Sequence, residues 1–254
     1  MTNQNEQPAD PHSFAGRVAL VTGGARGIGA VIAETLAARG AVVALADVLP
    51  ETEWTVSLGS PHTRHRLDVR STASCQAVVE EVLAAHGRLD HLVNGAGIVR
   101  RAPAVEMTDE DFTTVLDVNL TGTFRMCRAA YAPLAASRGS IVNIGSTNGH
   151  IAVPNSVGYC VSKAGVMHLA RVLALEWAAV GIRVNAVGPT IVPTDMTADV
   201  RQDPQYMADK LASIPLGRMA EATDVAEAVA YLLSPAAGMI TGQTIFVDGG
   251  VTIH

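Results

Sequence analysis

The chain has 254 residues, 48% of them hydrophobic and 17% charged, the proportions of a compact soluble protein with a sizeable core. Aromatic residues make up only 4%, so Val, Leu, Ile and Ala must fill that core. A net charge of −6 and an isoelectric point of about 5.7 argue against nucleic acid and anionic membrane surfaces as partners.

Residues 1–15 are polar and without periodicity, which predicts a flexible tail ahead of one domain over 16–254. Val18 to Val21 is a short apolar run, the mark of a strand buried on both faces. Ile28, Ile32 and Leu36 recur every four residues and predict a helix that Gly40 ends. Strands are predicted over 41–46 and 65–67, then a helix burying Val78, Val79, Val82 and Leu83. A fourth strand, 91–93, ends at Asn94, and 116–136 reads as one long helix stopped near Pro133 or soon after. A fifth strand covers 141–144, a long helix 157–179, and a sixth strand 182–187. Thr190 to Met219 reads as an irregular mobile flap punctuated by proline. A helix over 222–233 and a strand over 244–247 complete the pattern. The alternation predicts an α/β fold: a single doubly wound Rossmann-type domain, with a seven-stranded, mostly parallel sheet and helices on both faces. Ligands of such a sheet bind at the carboxyl ends of its strands.

Cys75, Cys127 and Cys160 are scattered, with no CxxC, and are expected as reduced thiols in a cytoplasmic protein. Residues 1–11 have no apolar core, so no secretory signal is expected. Arg171 and Glu176 interrupt the most apolar helix, so no membrane span is expected either. His62 and His65 are the one close histidine pair and lack further ligands, so no metal is expected.

Thr22 to Gly29 joins the first strand to the first helix. Gly23, Gly27 and Gly29 permit a tight turn, close approach of a pyrophosphate and close helix packing. The helix amino end offers free N–H groups to the phosphates. Asp47 closes the second strand, 18 residues past Gly29. A carboxylate there accepts hydrogen bonds from ribose hydroxyls and repels a 2′-phosphate, which favours NAD over NADP. Arg26 keeps the phosphorylated cofactor open, because a guanidinium in the loop binds phosphate. Asp68 stands where a carboxylate meets an adenine amino group, although a helix cap for the segment starting at Ser71 looks the same in sequence.

Tyr159 and Lys163 lie four residues apart, on one face of a helix. Alone the pattern says little. Beside a nucleotide loop it suggests an acid/base group for hydride exchange between an alcohol carbon and a nicotinamide. A free tyrosine has a pKa of about 10, and moving it to about 7 needs roughly 4 kcal/mol. One ammonium about 4 Å away, at an effective dielectric of about 20, gives that order of energy, so Lys163 with the nicotinium charge of the oxidised cofactor is expected to supply the shift.

With Asn94-Gly-Ala-Gly97, Asn119, Ser146 and Asp248-Gly-Gly250 in register, the chain resembles the short-chain dehydrogenase/reductase family from about Arg17 to His254. The resemblance implies Asn119, Ser146, Tyr159 and Lys163 as the catalytic set. Ser146 would hold the substrate oxygen, Lys163 the nicotinamide ribose, and Asn119 a water that links Lys163 to solvent. It extends the cofactor set to Ile28, Val69, Asn94, Ala96, Gly97 and Pro189, with the Val192 backbone and Thr194 hydroxyl on the carboxamide. It also implies a homotetramer, with the apolar end at Val251 to Ile253 fitting burial in a subunit contact. Two places depart from the usual pattern. Gly95 stands for a second Asn, removing a side-chain contact. Gly188-Pro189-Thr190 replaces Pro-Gly, so that Thr190 narrows the pocket or offers the substrate a hydroxyl.

Asn148, His150 and Asn155 lie near the tyrosine in sequence and are polar. With Ser146 and Tyr159 they suggest a site for a small hydroxylated molecule, a polyol or sugar alcohol oxidised with NAD. A rival within the class is an NADPH-dependent 3-oxoacyl-thioester reductase whose acidic carrier would meet Arg100 and Arg101. A rival from another class is an NAD-binding sensor without chemistry, which has no need of all four catalytic residues.

Overall fold

The computed structural model describes residues 10–253. Seven strands form one sheet: β1 (Val18–Thr22), β2 (Val42–Asp47), β3 (Thr63–Arg66), β4 (His91–Asn94), β5 (Ser140–Ile144), β6 (Arg183–Pro189) and β7 (Thr244–Val247). Their order is β3-β2-β1-β4-β5-β6-β7, and every neighbouring pair is parallel. Among the described residues, seven α-helices accompany them: α1 (Gly27–Ala38), α2 (Thr72–His86), α3 (Asp109–Leu116), α4 (Gly122–Ser137), α5 (Val157–Trp177), α6 (Pro204–Ala212) and α7 (Ala222–Leu233).

The period-two alternation of β1 divides its apolar residues between two cores. Val18 and Leu20 pack in the core shared with α2, α4 and α5. Ala19 and Val21 pack with α1 and α7 on the other face. Small Ala and Val side chains on the central strands let helices lie close on both sides. The strand order reverses at β1, whose neighbours are β2 and β4, and this opens a crevice at the carboxyl ends of β1 and β4.

At the amino end of the sheet a buried carboxylate fixes where β1 starts. Asp90 is 1% exposed. It accepts hydrogen bonds from Arg17 (2.9 Å), the Val18 amide (2.9 Å) and Arg88 (2.6 and 2.8 Å). Burial pushes its pKa up, but the two guanidiniums and the amide outweigh that and hold it below the ordinary value.

Three expectations are corrected. Residues 1–9 lie outside the described residues, but the flexible reading fails over 10–15. Phe14 is buried, its ring edge-on to His91 with centroids 5.3 Å apart, and its amide donates to the Arg39 carbonyl. The single helix over 116–136 is two helices, α3 and α4, joined by a π-helical turn at Asp117–Thr121. Pro133 lies inside α4, which continues to Ser137 because Ala130 and Leu134 anchor both sides of the proline in the core. The segment 190–219 is not irregular throughout, since it contains α6. Asp203 caps α6 by accepting from the amides of Gln205 and Tyr206, with Pro204 in its first turn. That Asp-Pro pair was a readable start signal.

The Gly188-Pro189 order also has a structural cause. A Cβ on Gly188 would meet the Phe246 ring at 2.6 Å, so the glycine sits where β7 lays an aromatic ring across β6.

Asp90→Ala should cost about 1–3 kcal/mol, because it leaves the buried Val18 amide without its acceptor, while the half-exposed guanidiniums of Arg17 and Arg88 turn to water. A denaturant titration checks this. Wild-type stability should also fall as pH drops below about 4 through the depressed Asp90 pKa, and the variant should lose less over the same window.

Candidate active site

A cavity of about 880 Å³ opens at the crevice between β1 and β4. The turn from β1 into α1 forms its floor. Gly23 has φ +66°, and a Cβ there would lie 2.7 Å from the Ala96 amide nitrogen. A Cβ on Gly29 would lie 2.0 Å from the Gly23 carbonyl oxygen. Both positions therefore exclude any side chain. No side chain caps the amino end of α1, so its first N–H groups face the cavity as an anion site. The Thr22 hydroxyl accepts from the amides of Gly95 (3.2 Å) and Ala96 (3.3 Å), which stitches the β4 loop to β1. The loop is thus held tightly at Gly95, where a Cβ would approach the Thr22 carbonyl to 2.7 Å.

Gly23, Arg26, Gly27, Ile28, Gly29, Asp47, Asp68, Val69, Ala96, Gly97, Pro189, Val192 and Thr194 all line this cavity, with Ser146, Tyr159 and Lys163. The structure thus provides a glycine cradle, a free helix end and a terminal carboxylate in one cleft, a fit to a nicotinamide dinucleotide. Asp47 ends β2 with both carboxylate oxygens tied to backbone, one to the Ala25 amide and one to the Leu49 amide, each at 3.1 Å. Asp68 is gripped by Arg70 at 2.7 Å, and this ion pair lowers its pKa. The cap of α2 is Ser71, which accepts from the Ser74 amide, so Asp68 is not a helix cap.

Asn94 does not reach the cavity. Its side chain is buried, donating to the Asn143 oxygen at 2.8 Å, and supports the sheet rather than a cofactor. Asn148, His150 and Asn155 are likewise outside the cavity lining. The Asn148 amide donates to the Ser146 hydroxyl oxygen at 3.1 Å, so this residue acts on the site through its backbone. His150 is exposed and packs on Phe246, with ring centroids 5.1 Å apart. Asn155 holds a turn at φ +59°, and its carbonyl accepts from the Ala102 amide. Proximity in sequence to Tyr159 misplaced these three, because the chain turns outward after Ser146.

The four catalytic candidates converge. Ser146 and Asn119 are buried, Tyr159 is half-buried, and Lys163 is 5% exposed with its ammonium donating to the Ile144 carbonyl at 2.7 Å. The Lys163 nitrogen lies 5.7 Å from the centre of the Tyr159 ring. Burial lowers the Lys163 pKa to about 8. Burial also raises the Tyr159 pKa, opposed in part by the Ser146 hydroxyl. The expected shift toward phenolate combines Lys163 with the nicotinium charge of the oxidised cofactor, so burial of the chain's own groups does not decide it. Desolvation outweighs the Ser146 hydroxyl and the distant Arg101 charge, and the phenol keeps its proton near neutral pH.

Asn119 sits in the π-helical turn. Its amide donates to the Ile98 carbonyl (3.0 Å) and the Ser162 hydroxyl (3.0 Å), and its oxygen accepts from the Ile98 amide (2.8 Å). Both amide hydrogens are therefore taken. The side chain is a clamp, and the water-relay role remains a proposal. Gly97 passes between the clamp and the lysine, where a Cβ would lie 3.3 Å from the Asn119 oxygen and 3.5 Å from the Lys163 nitrogen.

Sequence reasoning missed Thr22, Ser162, the Ile144 carbonyl and Asp195. Ser162 carried a weak signal, being three residues from Tyr159 on the same helix. Asp195 carried none, because its partner, Arg26, is distant in sequence. His62 and His65 serve the fold: His62 Nδ1 accepts from the Val43 amide, and His65 meets Thr63 and Glu81.

A family model described as enoyl-(acyl carrier protein) reductase matches residues 23–252. The chain belongs to the short-chain dehydrogenase/reductase family, and is an oxidoreductase acting on CH–OH groups with a nicotinamide cofactor. It is 43% identical over 260 aligned residues to D-threitol dehydrogenase of Mycolicibacterium smegmatis, covering all of both chains. It is 40% identical over 242 residues to a 3-oxoacyl-acyl-carrier-protein reductase of Escherichia coli K12, covering 94% of this chain and 98% of the relative. Among solved structures, gluconate 5-dehydrogenase from Burkholderia cenocepacia J2315, in complex with NADP and tartrate, superimposes with a TM-score of 0.91 at 32% identity, covering 96% of this chain and 98% of the other. Among the described residues, no helix is long and apolar enough to cross a membrane.

The ligand-free protein should show no Tyr159 phenolate near neutral pH. Ultraviolet difference titration of wild type against Tyr159→Phe checks this, and the missing phenolate signal should emerge only above the ordinary tyrosine pKa of about 10.

Proposed function

We propose that the protein oxidises a secondary alcohol of a polyol or sugar alcohol, or reduces the matching ketone, with NAD as cofactor. The observation that carries the cofactor half is Asp47, fixed at the end of β2 in the cavity wall by two backbone amides. A carboxylate so held accepts from two ribose hydroxyls and repels a 2′-phosphate. The substrate half is supported by likeness to the threitol and gluconate dehydrogenases. It no longer draws on Asn148, His150 and Asn155, which lie outside the cavity.

When bound, the nicotinamide exchanges the hydride, and its oxidised form brings a positive charge into the cleft. The chain's own residues handle the oxygen and its proton. The Ser146 hydroxyl, oriented by the Asn148 amide, holds the substrate oxygen. Tyr159 gives its phenolic proton to the carbonyl oxygen during reduction, and takes the hydroxyl proton during oxidation. Lys163, anchored on the Ile144 carbonyl, sets a cation beside the ring and can reach a ribose hydroxyl.

The rival, an NADPH-dependent 3-oxoacyl-thioester reductase, is favoured by the identity to the Escherichia coli reductase. Two contacts weigh against it. Arg101 pairs with Asp199 at 2.8 Å, and Arg100 meets Asp111 at 3.5 Å, so an acidic carrier would have to compete with carboxylates of this chain. An NAD sensor without chemistry is disfavoured by the convergence of Ser146, Tyr159 and Lys163 on one cavity. Assembly as a homotetramer is part of the proposal, supported by exposed apolar side chains Phe124 and Tyr131 on α4 and Val172 and Leu175 on α5.

Tyr159→Phe should reduce turnover of tetritols and related polyols by at least about a hundredfold, the scale of one general acid/base group. NADH affinity, read by nucleotide fluorescence, should change little. Turnover of acetoacetyl thioesters with NADPH, and of no polyol with NAD, would instead promote the rival. Light scattering should give four chain masses per particle, and a monomer would refute the assembly.

A further inference from the structure

Arg26 is the only charged residue in the glycine-rich turn from Thr22 to Gly29. Arg26 lines the cavity, and a carboxylate from a distant segment reaches its guanidinium: Asp195 Oδ2 lies 3.0 Å from Arg26 Nη1. Asp195 comes from the segment after β6, and that segment is seated firmly. The Thr194 methyl lies 3.5 Å from where a Gly27 Cβ would stand, so the chain rests against the start of α1. Asp195 opens a short 3-10 turn, Asp195–Thr197, held by the Thr197 hydroxyl on the Thr194 amide and carbonyl. Arg201 ties the same turn through the Thr194 carbonyl (3.1 Å) and the Thr197 hydroxyl (3.2 Å).

We propose that Asp195 is a specificity-determining residue for the cofactor, acting by occupying the Arg26 guanidinium. The proposal rests on the NAD reading above and names a second contributor to it besides Asp47. The charges decide the point. Asp47 is bound to the amide of Ala25, the residue before Arg26, and Asp195 takes the guanidinium itself. One positive and two negative side chains leave this wall with a surplus negative charge. A ribose with free hydroxyls meets an acceptor and loses nothing. A 2′-phosphate meets repulsion, and must draw Arg26 away from Asp195 before it gains a cationic partner. The side chains of Arg26 and Asp195 are 47% and 74% exposed, so the pair is solvent-screened and its effect is a few-fold, not a decade.

The test is a double-mutant cycle on the full chain, with dissociation constants for NADH and NADPH read by nucleotide fluorescence. Asp195→Asn should tighten NADPH relative to NADH by about two- to fivefold, and the gain should vanish in the Arg26→Ala background. Equal tightening of both nucleotides would overturn the proposal, because Arg26 would then serve the pyrophosphate they share. An unchanged ratio, or a gain that survives without Arg26, would overturn it too. A wild-type preference for NADPH is a distinct result: it would refute the NAD reading, and this assignment with it, whatever the variants do.

Discussion

One buried amide holds the active site together. Asn119 joins the loop after β4 through Ile98, the π-helical turn in which it sits, and α5 through Ser162. These elements are far apart in the chain, and the cleft requires all three. Ser162 in turn donates to the Tyr159 carbonyl, so the clamp reaches the turn of α5 that carries the phenol. The π-helical turn gives the clamp its reach, because the widened turn interrupts the regular face of a continuous helix. Leaving a buried amide without one partner costs about 1–3 kcal/mol. Here such a loss would also loosen Gly97, where a Cβ would lie 3.3 Å from the Asn119 oxygen.

The electrostatics of the cleft follow from burial. Desolvation disfavours the charged form of both reacting partners, lowering Lys163 to about 8 and raising Tyr159. The chain's own groups therefore set a protonated phenol beside a weakened ammonium. That state is prepared to give a proton to a carbonyl. Taking one from an alcohol needs additional positive charge in the cleft, and the oxidised nicotinamide carries it. In the proposed mechanism acid/base competence is thus coupled to cofactor binding, and so to the glycine turn and Asp47 in the same cavity.

The sheet, most helices and nearly all of the cofactor cleft were legible in the sequence for one physical reason. Buried strands read as short apolar runs, and glycines at close backbone approaches have no substitutes: Gly23 and Gly29 are forced by contacts of 2.7 and 2.0 Å. Tyr159 and Lys163 were legible because helical periodicity sets side chains four residues apart on one face. The illegible parts depend on long-range packing. The π-helical turn has no local pattern distinguishing it from α-helix. Asn94 ends a strand as a cofactor residue would, yet Asn143 on the adjacent strand claims its side chain. Asn148, His150 and Asn155 were judged by distance along the chain, whereas the fold turns them away from the cleft. The Arg26–Asp195 contact joins two segments that no local pattern relates.

The central claim is that this cleft moves a hydride between a polyol carbinol and NAD while Tyr159 handles the oxygen-bound proton. The most direct measurement uses a tetritol deuterated at its secondary carbinol carbons, incubated with the protein and NAD, with the reduced cofactor examined by mass spectrometry. The account predicts that the reduced nicotinamide carries one deuterium taken from the carbinol carbon. Reduced cofactor without the label, or no reduction with any polyol offered, would contradict it.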